Sequence, residues 1–440
     1  MTELEVAIRI CRRLQDAGYL AYIVGGAIRD ERLKRIPHDY DVSTSATPTQ
    51  VSEVFGDAIR PDVGKQAQCG VSLVVLEGIP IHVATFRSDG KYSDSRHPDE
   101  VTLVSSSQED QQRRDFTVNA LMWDPVADEV LDFVGGLNDL AAKVIRFIGD
   151  PSARICEDAL RILRAVRFEA VLGFEIEPAS LAACIKYADR LELIPIERIT
   201  AELMKGLASD DPVKFLERLR STGMLKYIIP ELLDMIDCPQ NPTHHPEGDV
   251  WVHTMLTVKN VSNSPLQRLA ALLHDVGKPR TRDAQNRCFS HDDVGAEMSR
   301  EIMIRLKFSN EDIDYVEHLV RKHMSVFTIF DMRKSKVLAF SGSIMFPHLL
   351  DLLRADILAS LRDPSTAIAD ITSYVTRIRT EFGSDCVPKS LLDGDEIMKI
   401  LRIEPGPQLK HLKTALIDAQ CEGLVKTRTD AVEFLMRSKF

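Results

Sequence analysis

Asp39 and Asp41 flank Tyr40 in HDYDVSTSATP, residues 38–48. On a strand, residues i and i+2 point to one face, so the two carboxylates would converge. Converging oxygens suit Mg²⁺, a hard ion that often takes one or two protein carboxylates and keeps room for phosphate oxygens. Two such ions can activate a ribose hydroxyl and stabilise departing pyrophosphate. On spacing alone, an acidic surface turn accounts for the same pair. Upstream, Gly25-Gly26 permits a tight turn and close approach of a phosphate, and Arg29 follows. A second set of chemical residues lies in HPEGDVWVHT, ALLHDVGKP, SHDDVGAE, RKHM and RADILA. His253, His274, Asp275 and Asp356 would form one metal site, which His291 and His323 could extend to a second ion. Imidazole mixed with carboxylate favours Mn²⁺, Ni²⁺ or Co²⁺.

These residues need particular elements beneath them. Residues 4–19 carry apolar side chains at helical spacing. Ala21–Val24 reads as a strand entering the glycines, 27–34 as a helix stopped by Pro37, and 39–42 as the strand bearing the carboxylates. Residues 71–76 and 81–86 form a hairpin turning at 77–80. Ser88–Asp99 reads as a loop, and 118–123 and 130–133 as short strands. From Asp150 the pattern turns helical: 155–171, 179–190, 197–208, 212–222, 224–236, 251–262, 266–276, 293–305, 310–323, 347–361, 365–382, 391–401 and 407–420.

At 440 residues, with 44% hydrophobic content, two to four domains are expected. We find no uncharged apolar run long enough to span a bilayer, and the start, MTELEVAIRICRRL, lacks a signal-peptide core. The eight cysteines include no C-x-x-C pair, which favours reduced thiols and a cytoplasmic location. A net charge of −11 argues against a broad nucleic-acid footprint. Local clusters such as Arg154, Arg161, Arg164 and Arg167 still allow an RNA partner.

VGGAIRD and DYDVSTSATP together resemble the signature of the class II tRNA nucleotidyltransferase and bacterial poly(A) polymerase family. The resemblance continues through HVATFRSDGKYSDSRHPDEV (82–101), RRDFTVNALMWDP (113–125), DFVGGLNDLAAKVIRFIGDP (132–151), RICEDALRILRAVRFEAVLGFEI (154–176) and IPIERITAEL (194–203). It implies an α+β protein with a small mixed-sheet, polymerase-beta-like head at 1–145. An all-α neck at 146–240, an HD-type body at 241–384 and a helical tail at 385–440 would follow. The implied activity is addition of C, C and A to the tRNA 3′ end from CTP and ATP, with Mg²⁺ in the head and neither membrane nor DNA as partner.

The resemblance also implies residue roles. Gly25 and Gly26 would cradle phosphates, and Asp39 and Asp41 would be catalytic and hold the metals. Arg29, Arg113, Arg114, Asp115 and Asn119 would contact the nucleotide, the last two on its ribose side. Glu157, Asp158, Arg161, Arg164 and Arg167 lie on the implied nucleotide-selecting helix, where Asp158 and Arg161 would read the Watson–Crick edge of the base. Read bottom-up, Glu157 and Asp158 are also ordinary helix-surface partners for Arg161. His82 stands where the family usually carries a carboxylate. The His/Asp order resembles the HD phosphohydrolase superfamily. In the tail, Lys410, His411, Lys413, Lys426 and Arg428 are candidate phosphate contacts. Poly(A), CC-only or A-only addition shares these signatures. A metal-dependent phosphohydrolase with a decayed head is the rival of another class.

Overall fold

A mixed sheet organises the N-terminal part of the chain. The computed structural model describes residues 1–60, 70–90, 101–283, 285–382 and 387–437. Two compact units divide it, Met1–Pro230 and Glu231–Phe440. The first unit opens with helix Glu3–Asp16, whose Thr2 and Glu5 form a reciprocal N-terminal cap and whose inner face buries Val6, Ala7, Ile10, Cys11 and Leu14. The strands are β1 (Ala21–Val24), β2 (Asp41–Thr44), β3 (Ile59–Arg60), β4 (Val71–Leu76), β5 (Ile79–Thr85), β6 (Arg87–Asp89), β7 (Val101–Leu103), β8 (Met122–Asp124) and β9 (Glu129–Leu131). All but β6 and β7 join one sheet in the order β3-β4-β5-β2-β1-β8-β9. Within it β2 and β5 pair in parallel and the other neighbours antiparallel.

Several elements depart from the sequence reading for local reasons. The strand bearing the carboxylates starts at Asp41, so Asp39 lies just before it. The β4–β5 turn is two residues, Glu77 and Gly78, both at positive φ (53° and 80°), the geometry that matches strand twist in tight hairpins. Residues 117–119 form a 3₁₀ turn, and β8 begins only at Met122. The expected loop at 88–99 is entered by strand: β6 pairs with β7. Residues 91–99 of that stretch lie outside the described residues.

The expected helix at 155–171 is two helices, Pro151–Glu157 and Leu160–Leu172. Asp158 between them has extended backbone, φ −145° and ψ 104°. The expected all-α stretch 146–240 is not purely helical either: β11 (Glu175–Ile176) pairs in parallel with β10 (Val144–Ile145).

The second unit is helical. Helix Val250–Asn260 packs on Phe346–Ala359, and His291–Arg305 on Asn310–Lys322. The sequence reading omitted helices Lys334–Ser341 and Arg428–Arg437. Helices Gly394–Leu401, Pro407–Cys421 and Arg428–Arg437 share a core of Leu392, Ile397, Leu412, Leu416, Ala419 and Leu435. Among the described residues no single helix is long and apolar enough to cross a membrane. The described cysteines are all free.

Gly277 sets the distance between two site-bearing segments. A Cβ placed there would lie 2.3 Å from His291 O and 2.7 Å from Gly295 N, both backbone atoms that cannot yield locally. Gly277→Ala should therefore destabilise the second unit by at least the ~1–3 kcal/mol typical of overpacking. Denaturant unfolding followed by circular dichroism measures it. A wild-type midpoint would contradict the close approach.

Candidate functional site

In the head, β1 delivers Gly25 and β2 delivers Asp41 side by side. Gly25 has φ 79° and ψ −138° and precedes helix Gly26–Arg32. A Cβ at Gly25 would meet Arg114 Nη1 at 3.4 Å, so the glycine leaves room for the guanidinium. The parallel β2–β5 register, Val42 beside Val83, brings His82 next to Asp41. His82 Nδ1 lies 3.6 Å from Asp41 Oδ1. Burial raises the pKa of Asp41, and the negative charge of Asp39 raises it further. A carboxylate whose ionisation is opposed by burial and by a neighbouring negative charge is a donor that a divalent cation relieves. Asp39 and Asp41 therefore fit Mg²⁺.

The arginines converge on this point through a carboxylate that the sequence reading missed. Asp110 is fully buried and pairs with Arg113 at 2.7 Å and Arg114 at 3.0 Å. Arg114 also donates to Ser43 Oγ on β2 at 3.2 Å. Burial opposes ionisation of Asp110, but the two guanidiniums hold its pKa below the ordinary carboxylate range. Its only sequence signal was its place one turn before Arg113-Arg114.

Arg29, Asn119, Asp115 and Arg164 form a chain of contacts. Arg29 Nη1 donates to Asn119 Oδ1 at 2.5 Å, and Asn119 Nδ2 to Asp115 Oδ1 at 3.3 Å. Arg164 Nε donates to Asp115 Oδ2 at 2.8 Å. Burial pushes the Asp115 pKa up, and Arg164 outweighs it and lowers the net value. Arg167 pairs with Glu202 at 2.5 Å and stacks over Phe168 at 3.9 Å. Phe168 also faces Arg29 and Arg164. These groups tie the 113–119 segment to helix Leu160–Leu172.

The expected helix-face relation of Asp158 and Arg161 is replaced by two separate clamps. Arg198 grips Asp158 with both nitrogens, at 3.1 and 2.8 Å. Arg161 pairs with Glu157 at 2.5 Å and donates to Arg154 O at 2.9 Å and Arg113 O at 3.3 Å. Arg198 lies within the quoted IPIERITAEL, so its presence was visible but its partner was not. In the tail, Arg428 pairs with Glu396 instead of standing free for phosphate.

In the second unit the six expected ligands come together. His253 Nε2 is 3.0 Å from Asp356 Oδ1 and 3.7 Å from Asp275 Oδ2. His274 Nε2 is 3.2 Å from Asp275 Oδ2, and His291 Nε2 3.4 Å from Asp275 Oδ1. His323 Nε2 lies 3.3 Å from His291 Nε2. Lys278 adds a cation 2.6 Å from Asp275. His253 Nε2 and His274 Nε2 are buried and close no hydrogen bond despite the nearby carboxylates. Groups His253–His274–Asp356 and Asp275–His291–His323 each bring their ligand atoms within 4.8 Å.

Electrostatics supports the same reading. Burial works against a charged His253, yet Asp356 and Glu247 lift its pKa to about 9. Burial and neighbouring His274 push His323 down to about 4. Burial opposes ionisation of Asp356, but His253 holds its pKa well below the ordinary carboxylate range. The carboxylates ask for positive charge at the centre, and a divalent cation fits that demand. A cleft of about 500 Å³ opens beside the cluster, lined by Lys278, Arg287, Phe327 and Arg362 among others.

Comparisons with known proteins agree with this layout. Three family models match: a poly A polymerase head domain over residues 21–146, a probable RNA and SrmB-binding site of polymerase A over 173–236, and an HD domain over 255–358. A CCA-adding enzyme of Leuconostoc citreum is 30% identical over 430 residues, 96% of this chain and 93% of the relative. A CCA-adding enzyme of Levilactobacillus brevis is 41% identical over 225 residues. That match spans about half of each chain, 51% of this one and 55% of the relative. The crystal structure of the Bacillus stearothermophilus CCA-adding enzyme in complex with CTP aligns with 25% identity and a TM-score of 0.71, over 99% of this chain and 97% of that one. The Thermotoga maritima CCA-adding enzyme complexed with tRNA_CCA shares the fold, at 18% identity and a TM-score of 0.59 over 99% of this chain and 95% of that one.

The fold is thus a nucleotidyltransferase head of the poly(A) polymerase type, followed by a helical region and an HD-type domain. The chain belongs to the CCA-adding enzyme family.

Asp110 offers a direct test of the head's electrostatics. Removing a buried carboxylate from two guanidiniums should cost about 3 kcal/mol, the low end of the range for breaking buried pairs, since both arginines reach solvent. Asp110→Ala should show this loss in chemical denaturation, and an unchanged stability would mean that the arginines are held elsewhere.

Proposed function

We propose that this protein adds C, C and A to the 3′ end of tRNA, using CTP and ATP and releasing pyrophosphate, without a nucleic-acid template. The domain roles follow: a catalytic head at 1–145, a neck for nucleotide selection and RNA contact at 146–240, an HD-type body at 241–384 and a tail at 385–440. Asp39 and Asp41 hold Mg²⁺, which when bound supplies positive charge to the triphosphate and lowers the cost of a deprotonated ribose hydroxyl. The tRNA 3′-oxygen bonds to the α-phosphorus as the bond to pyrophosphate breaks. Gly25 and Gly26 admit the phosphates to the main chain, with Arg114 beside them. Arg29, Asp115, Asn119, Arg164 and Arg167 shape the wall that receives the nucleotide. We place the protein in the cytoplasm.

The observation that carries C and A specificity is the hydrogen-bonding capacity left at Asp158 and Arg161. Asp158 accepts from Arg198 twice and from Leu160 N, leaving one acceptor position of about four. Arg161 uses Nη1 and Nη2 and keeps donors in reserve. Cytosine and adenine both present an amino donor beside a ring-nitrogen acceptor. An Asp acceptor beside an Arg donor complements that edge in both, whereas uracil and guanine present a carbonyl beside an N–H. This supports selection of C and A over U and G.

A second activity is favoured by the buried imidazole nitrogens that face Asp275 and Asp356 and by the adjoining cleft. We propose that the HD-type domain hydrolyses phosphate esters, with Mn²⁺, Ni²⁺ or Co²⁺ held by His253, His274, Asp275, His291, His323 and Asp356. Lys278, Arg287 and Arg362 would orient the phosphate.

One experiment separates these readings. Wild type, Asp39→Ala, Asp41→Ala and a His274→Ala/Asp275→Ala double variant are given tRNAs lacking CCA, ending in C or ending in CC, with CTP, ATP or both. Phosphate release from p-nitrophenyl phosphate is followed alongside, with Mn²⁺, Ni²⁺, Co²⁺ or Mg²⁺. Wild type should complete CCA. Asp39→Ala and Asp41→Ala should lose at least about 10²-fold in addition, as expected when transition-state charge stabilisation is removed, and keep hydrolysis. The double variant should lose hydrolysis and keep addition. Long A tails, or near-wild-type addition by Asp39→Ala, would overturn the main reading.

A further inference from the structure

Four histidines face the centre of the HD-type domain, and three are held alike. His274 Nδ1 contacts Ala271 O at 2.7 Å, His291 Nδ1 Cys288 O at 2.9 Å, and His323 Nδ1 Val320 O at 2.6 Å. Each uses a carbonyl three residues earlier because each sits at a helix end. His274 follows Pro265–Leu273, His323 follows Asn310–Lys322, and His291 opens its helix. At such ends backbone groups lie outside the regular helical ladder.

His253 cannot be held that way. It lies inside helix Val250–Asn260, where carbonyls are committed to helical bonds. Its Nδ1 instead meets Glu247 Oε1 at 2.6 Å. Glu247 comes from the segment before the helix, and its side chain is only 1% exposed. The same oxygen meets His245 Nδ1 at 2.9 Å, while Oε2 is buried without a partner. A carboxylate draws the Nδ1 proton more strongly than a neutral carbonyl does. It therefore leaves more electron density on Nε2, the nitrogen that faces Asp356 and Asp275.

We propose that Glu247 is a positioning residue: by fixing the Nδ1–H tautomer of His253 and enriching its Nε2, it makes the His253–His274–Asp356 position the tighter of two unequal metal positions. The weaker position is Asp275–His291–His323, whose imidazoles rest on neutral carbonyls. This rests on the metal-centre reading given above.

The test is titration of metal-free, full-length protein with Co²⁺, followed by calorimetry and by visible absorption of the bound ion. Wild type should bind two ions in distinct steps. Glu247→Ala should weaken the tight step about 10–100-fold, the usual cost of losing a partner behind a metal ligand, and leave the weak step in place. Glu247→Gln keeps an acceptor oxygen without its charge and should fall between, which guards against a misfolded alanine variant. His245→Ala should leave the tight step intact. Equal affinities in wild type, an unmoved tight step in both Glu247 variants, or equal weakening of both steps would overturn the proposal. So would three bound ions falling to two in Glu247→Ala, since Glu247 would then be a ligand itself. If wild type binds no Co²⁺, the metal-centre reading fails and the proposal with it. If two unequal ions bind but ignore Glu247, only the proposal fails.

Discussion

The interruption of the helix at Asp158 decides which partner that carboxylate finds. A continuous helix would place Asp158 and Arg161 one turn apart as ordinary surface partners. The break leaves Asp158 to Arg198, while Arg161 keeps Glu157, the partner expected four residues earlier. Each of the two charges is paired with a partner other than the other. Because Arg161 also reaches Arg113 O, the clamp is continuous with the segment carrying Arg114 and Asp115. Asp115 then ties to Arg164 one helical turn further on. Residues 113–119 and the two helices around Asp158 are thus joined by charge-assisted bonds, which are roughly twice as strong as neutral ones.

The two candidate metal centres obey different electrostatics. In the head, burial and Asp39 work against an ionised Asp41, and His82 and Arg114 work for it. That favours a hard ion shared with phosphate oxygens. In the HD-type domain, buried imidazoles and carboxylates are mixed, and Lys278 already neutralises part of Asp275. That set favours transition metals.

Sequence legibility followed the range of the interaction. Asp39, Asp41 and the His/Asp set stand out because ligand chemistry restricts residue type, and the HD-type residues meet as their order implied. Helix Ser365–Phe382 and strand β1 were readable from local pattern alone. The break at Asp158 was not, because Arg154 to Leu172 keeps helical periodicity through it and Arg198 lies 40 residues away. Asp110 was passed over for the same reason: an acidic residue in SSSQEDQQ looks solvated until its burial is seen. Helix Lys334–Ser341 is short and weakly amphipathic, so periodicity does not announce it. Glu247 belonged to a quoted motif, but only the fold places it behind His253.

We propose that Arg198 presents Asp158 for base reading. The direct measurement is single-turnover incorporation of CTP, ATP, UTP and GTP by wild type, Arg198→Ala, Asp158→Ala and the double variant. If the clamp acts through Asp158, Arg198→Ala should lower the preference for CTP and ATP over UTP and GTP by roughly tenfold or more, the scale of one buried hydrogen-bonded partner. The double variant should then discriminate no worse than Asp158→Ala alone. Unchanged discrimination in Arg198→Ala, or losses that add fully in the double variant, would contradict the account.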